Sequence, residues 1–300
     1  MLEVLKLKET LEADIRKLAV EFDNADGSEK WEIETNLLDK KSQLNKIRKH
    51  NKIESKAISA FDLIKEVSTR KHVARYETGI KPLDDVLNGG IEIGSFVQLA
   101  GGSFAGRTHL AIEILSQVAT WDKVLFFNFE MGDRRIAQRF DRSLTTETAK
   151  RNMMIHNDNR ELSHIVSEII SAHKSGVKFF GIDSKMKIEI SDEKDDYKRF
   201  SKISATLSKL TQENEIIIFL INQVSEDDDK NGRLAFKGSG EQLYDTDLAL
   251  FYLMVKDNQN VRKLVCRKNR QDENNFSLML QLDQNNKTSS AENGVQTLYQ

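Results

Sequence analysis

Cysteine and proline are nearly absent from this chain of 300 residues, which has Cys266 and Pro82 and no others. A lone cysteine excludes an intrachain disulfide and any metal cluster built on several thiolates. Cys266 itself reads as a small buried hydrophobe in a strand. Long apolar runs are also missing. IIIFLI at 216–221 and LALFYLMV at 248–255 both fall far short of the roughly 20 residues that span a bilayer. The N-terminal MLEVLKLKETLEADIRK is charged throughout and lacks the apolar stretch of a signal peptide. A cytoplasmic protein without membrane contact is expected. Neither charge sign dominates: 45 Lys and Arg stand against 47 Asp and Glu, a net charge of −2. Any contact with nucleic acid must therefore be made by local patches or loops. The six histidines are scattered, with no metal-ligand spacing on a helix.

What is present divides the chain in two. Val4, Leu7, Leu11, Ile15, Leu18 and Phe22 recur in steps of three and four, the mark of one apolar helical face. DNADGSE then supplies turn formers, with Ser28 as an N-cap, and a second helical pattern runs from about Trp31 to Ile47 with Ile33, Leu37 and Leu44 on one side. Residues 1–50 are expected to form a helical hairpin that packs on a partner subunit or on the main domain, since such a hairpin buries little by itself. Residues 51–75 hold a polar joint and a short helix, AISAFDLIKEV, with Ala57, Phe61, Ile64 and Val67 facing one way. From residue 76 the texture changes. The runs SFVQLAG, KVLFFNFE, VKFFGIDS and EIIIFLINQ alternate with helical patterns, as buried parallel strands of an α/β sheet do. After residue 245, DLALFYLMV, VRKLVCRKN and FSLMLQLD read as antiparallel strands at one end of that sheet, and residues 286–300 as a flexible polar tail.

LAGGSFAGRTHLAIEIL, residues 99–115, carries the chemistry. A phosphate-binding loop needs glycines that let backbone N–H groups turn inward, and a helix N-terminus behind them that favours an anion. Its pattern is Gly, four residues, Gly, Lys, then Ser or Thr. Here Gly101, Gly106 and Thr108 fit, but Arg107 occupies the lysine position. The order strand, loop, helix is the one the motif requires, and Gly101, Gly102, Ser103, Phe104, Ala105, Gly106, Arg107, Thr108 and His109 form the expected nucleotide cradle. Three further strands end in polar residues: VKFFGIDS in Asp183, VLFFNFEM in Glu130 and FLINQ in Gln223. Asp183 stands where the water shell of a magnesium ion is held, with Thr108 as a direct ligand. Glu130 is placed to polarise an attacking water, and Gln223 to sense a phosphate. Ligands of open α/β sheets bind at this carboxyl edge.

TGIKPLDDVLNGGIEIGSFVQLAGGSFAGRTHLAIEI, VLFFNFEM, FFGIDS, FLINQVS, KGSGEQLYDTDLALFY and CRKNR occur in one order over about residues 52–285. In that order they resemble the RecA-type core of DnaB-like hexameric replicative helicases, with the RadA and KaiC branch as the nearest alternative. The resemblance implies a RecA-like P-loop ATPase domain over residues 76–285, using ATP and Mg2+, and a homo-oligomer, most simply a hexameric ring. It implies that Thr108 ligates magnesium, Asp183 is the second-motif acid, Glu130 the catalytic glutamate and Gln223 the γ-phosphate sensor. Lys268 and Arg270 match the basic pair that such rings insert into a neighbour's nucleotide site. Two residues apart on a strand, they point one way. The loops after the acid and sensor strands would face single-stranded DNA through Lys185, Lys187, Lys230, Arg233 and Lys237, although Asp227, Asp228 and Asp229 share the second loop. The hairpin resembles a shortened DnaB-like N-terminal region and is the place for a replication partner.

Arg107 departs from the pattern. Arginine is longer, planar and forked where lysine is a compact charge, so the exchange is not conservative at a close-packed phosphate site. It either holds phosphate charge or crowds the γ-phosphate, and a misplacement of about 1 Å can cost on the order of 100-fold in rate. Three functions follow as expectations: a DNA-stimulated helicase or translocase, a nucleotide-binding adaptor without turnover, and a RadA-like recombination accessory.

Overall fold

The computed structural model describes residues 2–51, 58–69, 74–102, 104–225, 234–237, 242–256, 258–272, 274–283 and 288–297. Its contacts divide the chain into Met1–Lys71 and His72–Gln300.

In the first unit, α1 (Leu2–Asn24) and α2 (Gly27–Asn51) form the expected antiparallel pair. The periodicity explains the contact. Leu11 and Leu44 are buried, and Ile15, Leu18, Phe22, Ile33 and Leu37 are half-buried along the seam. Lys40 Nζ adds an ion pair to Asp14 Oδ2 at 2.6 Å. The second helix starts earlier than the sequence suggests, so Ser28 lies within α2 rather than ahead of it. The short helix α3 (Ala60–Thr69) begins at Ser59, whose hydroxyl accepts from the Asp62 N–H at 3.0 Å and donates to Asp62 Oδ2 at 2.6 Å.

The second unit is built on one nine-stranded sheet. Ahead of it, β1 (Arg75–Tyr76) pairs with β2 (Ile91–Glu92) around α4 (Lys81–Val86). Pro82 sits in the first turn of α4, where its missing N–H is not needed. The sheet's parallel part consists of β3 (Phe96–Ala100), β4 (Val124–Asn128), β5 (Met153–His156), β6 (Phe179–Asp183) and β7 (Ile217–Ile221). Then follow β8 (Leu248–Val255), β9 (Asn258–Asn269), β10 (Phe276–Leu282) and β11 (Thr288–Thr297). The spatial order is β11-β10-β9-β8-β3-β7-β6-β4-β5. Between the strands lie α5 (Arg107–Ala119), α6 (Asp133–Ser143), α7 (Glu147–Asn152), α8 (Leu162–Lys174), α9 (Asp196–Asn214) and α10 (Gln242–Asp245).

The alternation of side chains across each strand makes two cores. Val97, Leu99, Phe126, Phe219 and Ile221 face one way and meet Leu110, Ile114, Leu115 and Val118 of α5. Phe96, Leu125, Phe127, Ile218 and Leu220 face the other way and meet Ile165 and Ile169 of α8 and Phe200, Ile203 and Leu207 of α9. This is the mostly parallel, two-sided sheet of RecA-type ATPase domains. The antiparallel end differs from expectation in two places. β8 is the seam of the sheet, parallel to β3 on one side and antiparallel to β9 on the other. The segment expected as a flexible tail contributes β11, which pairs with β10. Cys266 is buried in β9 as expected, and burial pushes its thiol up to about 12.

Candidate nucleotide site

β3 delivers the chain to the loop, and α5 takes it away. Two glycines are required there by geometry. A Cβ on Gly101 would stand 2.3 Å from the Tyr252 carbonyl oxygen of the seam strand, and Gly106, at φ +95°, caps α5 in the left-handed region. Phe104 is exposed at the loop tip, and Ala105 is buried beneath it. Arg107 and Thr108 open the helix, so their backbone lies at its positive end. Ser103 lies outside the described residues.

Thr108 Oγ1 donates to Asp183 Oδ2 at 2.8 Å. Glu130, beyond the end of β4, accepts from Ser184 Oγ at 2.6 Å. β4 and β6 are hydrogen-bonded neighbours, with Asn128 opposite Asp183. The sheet register therefore brings Thr108, Asp183, Ser184 and Glu130 into one row. Asp183 is fully buried, and burial together with Glu130 raises its carboxyl to about 6 against the lowering pull of Thr108, Arg107 and Arg139. Its Oδ1 is buried without a hydrogen-bond partner. An unpartnered carboxylate oxygen beside a threonine hydroxyl is a hard oxygen donor set that fits magnesium. No group of three or more His, Cys, Asp or Glu ligands occurs among the described residues.

Arg107 turns toward the sensor strand and donates from Nη1 to the Asn222 carbonyl. Burial lowers its pKa, opposed by Glu130 and Asp183. Asn222 is fully buried, and its side chain donates to Gln98 Oε1 at 3.0 Å and Gln242 Oε1 at 3.2 Å. Gln223 follows it, half-buried, and its carbonyl accepts from the Lys237 N–H at 2.7 Å.

A cleft of about 380 Å³ lies above the loop, lined by Phe104 to His109 together with Arg139, Tyr252, Arg262 and Leu282. The last four were not legible as site residues. Arg262 leaves β9 and donates from Nε to the Ala105 carbonyl at 2.9 Å, clamping the loop from the far side of the seam. Nothing in the sequence marked it, because β9 (NQNVRKLVCRKN) carries three further basic residues, Lys263, Arg267 and Lys268.

Other expected residues are placed differently. Lys185 does not face DNA: it is fully buried, with Nζ 2.7 Å from Ser204 Oγ and bonded to Gln242 Oε1. The short 3-10 turn Lys185–Lys187 points Lys185 into the core and leaves Lys187 exposed. Lys237 is half-buried, and Lys230 and Arg233 lie outside the described residues. Lys268 and Arg270 do point one way, onto the end of α10. Lys268 Nζ donates to the Leu243 and Tyr244 carbonyls at 2.6 and 2.9 Å, and Arg270 donates to the Tyr244 carbonyl at 2.8 Å and to Asp247 Oδ1 at 3.0 Å.

A strand, glycine loop and helix facing a buried acid on a neighbouring strand define a P-loop nucleotide fold. A family model described as an AAA domain matches residues 65–229, and the chain belongs to that family. DNA repair protein RadA of Salmonella typhimurium is 25% identical over 176 residues, 58% of this chain and 36% of that protein. RadA of Streptococcus pneumoniae is 25% identical over 185 residues, 60% of this chain and 41% of that protein. The chain thus spans about two-fifths or less of the length of these relatives. Among solved structures, one ATPase domain superposes with a TM-score of 0.64 at 18% identity, over 77% of this chain and 97% of that one. A DnaB-like replicative helicase, solved in a study of its interactions with primase, gives 0.64 at 16%, over 95% and 78%. A KaiC-like protein from Pyrococcus horikoshii gives 0.58 at 18%, over 76% and 100%. The fold is that of the RecA-type ATPase domains. No helix among the described residues is long and apolar enough to cross a membrane.

Proposed function

We propose that this chain is a DnaB-like ATP-dependent translocase or helicase acting on single-stranded DNA in replication. The observation that carries the reading is the row Thr108, Asp183, Ser184 and Glu130 at the foot of the loop cleft. Magnesium would be held by Thr108 Oγ1 and, through water, by Asp183, and when bound it supplies charge neutralisation for the phosphates. The backbone N–H groups of the loop and the α5 N-terminus bind the phosphate anion. Glu130, fixed in direction by the Ser184 hydroxyl, orients and accepts a proton from the attacking water. Gln223 reads the phosphate state and passes it to Lys237 through its main chain. Exposed Lys187 and the segment around Lys237 serve the DNA backbone. In a homo-oligomeric ring, Lys268 and Arg270 exchange their bonds to α10 for a neighbour's phosphates, and the α1–α2 hairpin takes a replication partner.

A second reading has its own observation. Because Arg107 is committed to the Asn222 carbonyl, the loop would bind ATP without turning it over, as a nucleotide-gated adaptor on DNA. Steady-state ATP turnover with and without single-stranded DNA, beside Arg107→Lys and Glu130→Gln, separates the two. DNA-stimulated turnover abolished by Glu130→Gln supports the motor. Tight binding without turnover, restored by Arg107→Lys, supports the adaptor. A preference for branched DNA would instead favour a RadA-like accessory role.

A further inference from the structure

Three guanidinium groups line the cleft, those of Arg107, Arg139 and Arg262. Two are already engaged. Arg262 donates to the carbonyls of Ala105, Gln259 and Val261 at 2.9, 2.7 and 3.0 Å, and Arg107 to that of Asn222. Arg139 makes no hydrogen bond or ion pair with any other described residue.

Its setting is not that of an ordinary solvated arginine. Arg134, Arg135 and Arg142 on the same helix are exposed, whereas Arg139 is half-buried. It follows Ile136 by one helical turn and precedes Phe140, and these two residues, 2% and 5% exposed, fix α6 against the sheet. The helix starts three residues past Glu130, so the chain that leaves the candidate water-orienting carboxylate runs directly into the helix that carries Arg139 to the cleft. The Asp183 carboxyl already feels its charge. A guanidinium has five N–H donors in a planar fork, matched to carboxylate and phosphate. Half-buried beside two other cations and without an acceptor, it is left with donors that an anion would satisfy. Meanwhile Arg107, at the position that should direct charge at the phosphates, is turned to the sensor strand.

We infer that Arg139 grips the terminal phosphates of the bound nucleotide, supplying from α6 the cation that the loop does not direct at them. The inference rests on the reading that the cleft takes ATP. It makes Arg139 a phosphate-binding residue within the same chain, distinct from any residue a neighbour would insert.

The test is titration of the full chain with a fluorescent ATP analogue and Mg2+, with unlabelled ATP, ADP and AMP as competitors, for the native protein, Arg139→Ala and Arg139→Lys. The inference expects Arg139→Ala to weaken ATP by about tenfold or more while AMP changes by no more than about twofold. Arg139→Lys should recover part of the loss, because it restores charge without the fork. Equal weakening of ATP and AMP, or no change while the native protein still binds, overturns the Arg139 assignment alone. Failure of the native protein to bind any of the three overturns it together with the ATP reading. Should the variants not fold, phenylglyoxal labelling of the native protein followed by peptide mass spectrometry gives the same decision. Mg–ATP should protect Arg139 and leave Arg134 reactive, and equal labelling of Arg139 with and without nucleotide overturns the assignment.

Discussion

Lys185 offers a quantitative check on the core. Its ammonium is buried beside Phe200 and bonded to Ser204 and Gln242, and burial pushes its pKa down to about 7, with Asp245 opposing. In the unfolded chain a lysine titrates near 10.4. Between these values the unfolded state holds more protons than the folded one, so this residue's contribution to stability rises with pH. From pH 7 to pH 9 the rise amounts to about 2 kcal/mol, at 1.36 kcal/mol per unit once half-titration at pH 7 is allowed for. Cys266 acts in the opposite sense. Its folded pKa is raised to about 12, so it contributes a loss of stability above about pH 8.5. The native profile alone is therefore mixed, and the difference between the native protein and Lys185→Met isolates the lysine. Urea unfolding at pH 7, 8 and 9 should show the native protein gaining about 2 kcal/mol over the variant across that range, or about 4–8 °C in Tm for a unit of this size. Parallel pH profiles would refute the reasoning. A lysine on the DNA path would give a different pair of results, with a flat stability difference and weaker, less salt-sensitive DNA binding in the variant.

Gly101→Ala should be among the most damaging single-methyl changes, at about 1–3 kcal/mol or more by thermal melting, because the clash is with the Tyr252 backbone rather than a side chain that can turn away. Unchanged stability would mean that the β3–β8 seam is looser than described. Asp183 has a raised carboxyl near 6, so Mg–nucleotide affinity should fall by up to about tenfold per pH unit as pH drops below 6, and Asp183→Asn should flatten that profile by calorimetric titration. The same shift has a stability sign: the folded state binds more protons than the unfolded state between about pH 4 and 6, so this residue's contribution falls as pH rises through that window. A variant that keeps the native profile would remove Asp183 from the site.

The elements legible in the sequence were those whose burial is symmetric. β3, β4, β6 and β7 are covered on both faces and read as short, largely apolar runs, broken in β3 by Gln98, and their ends bring Thr108, Asp183 and Glu130 into one row. β5 and α8 escaped the reading. MMIH is a short edge strand with Ile155 left exposed, so its pattern carries little signal. β11 escaped because a polar segment pairs through its backbone, which composition does not report. Lys185 was misassigned because a lysine after an acid strand looks like a surface charge. Only the folded network of Ser204 and Gln242, distant in sequence, offers its ammonium partners inside. Arg139 and Arg262 were hidden for the same reason. Their roles are set by which loop they reach, 157 residues away in the case of Arg262 and Ala105.

That separation bears on how the protein is made. The loop leaves the ribosome long before β9, yet its Ala105 carbonyl is held by Arg262 and its first glycine sits under the Tyr252 backbone. A nascent chain ending before the β8–β9 hairpin would carry every residue of the loop motif and its contacts to Asp183 and Asn222, but neither the Arg262 clamp nor the Tyr252 backbone over its first glycine. A loop that takes nucleotide would reach its full shape only once synthesis has passed that hairpin, so occupancy of the cleft would report that the sheet has closed around its seam.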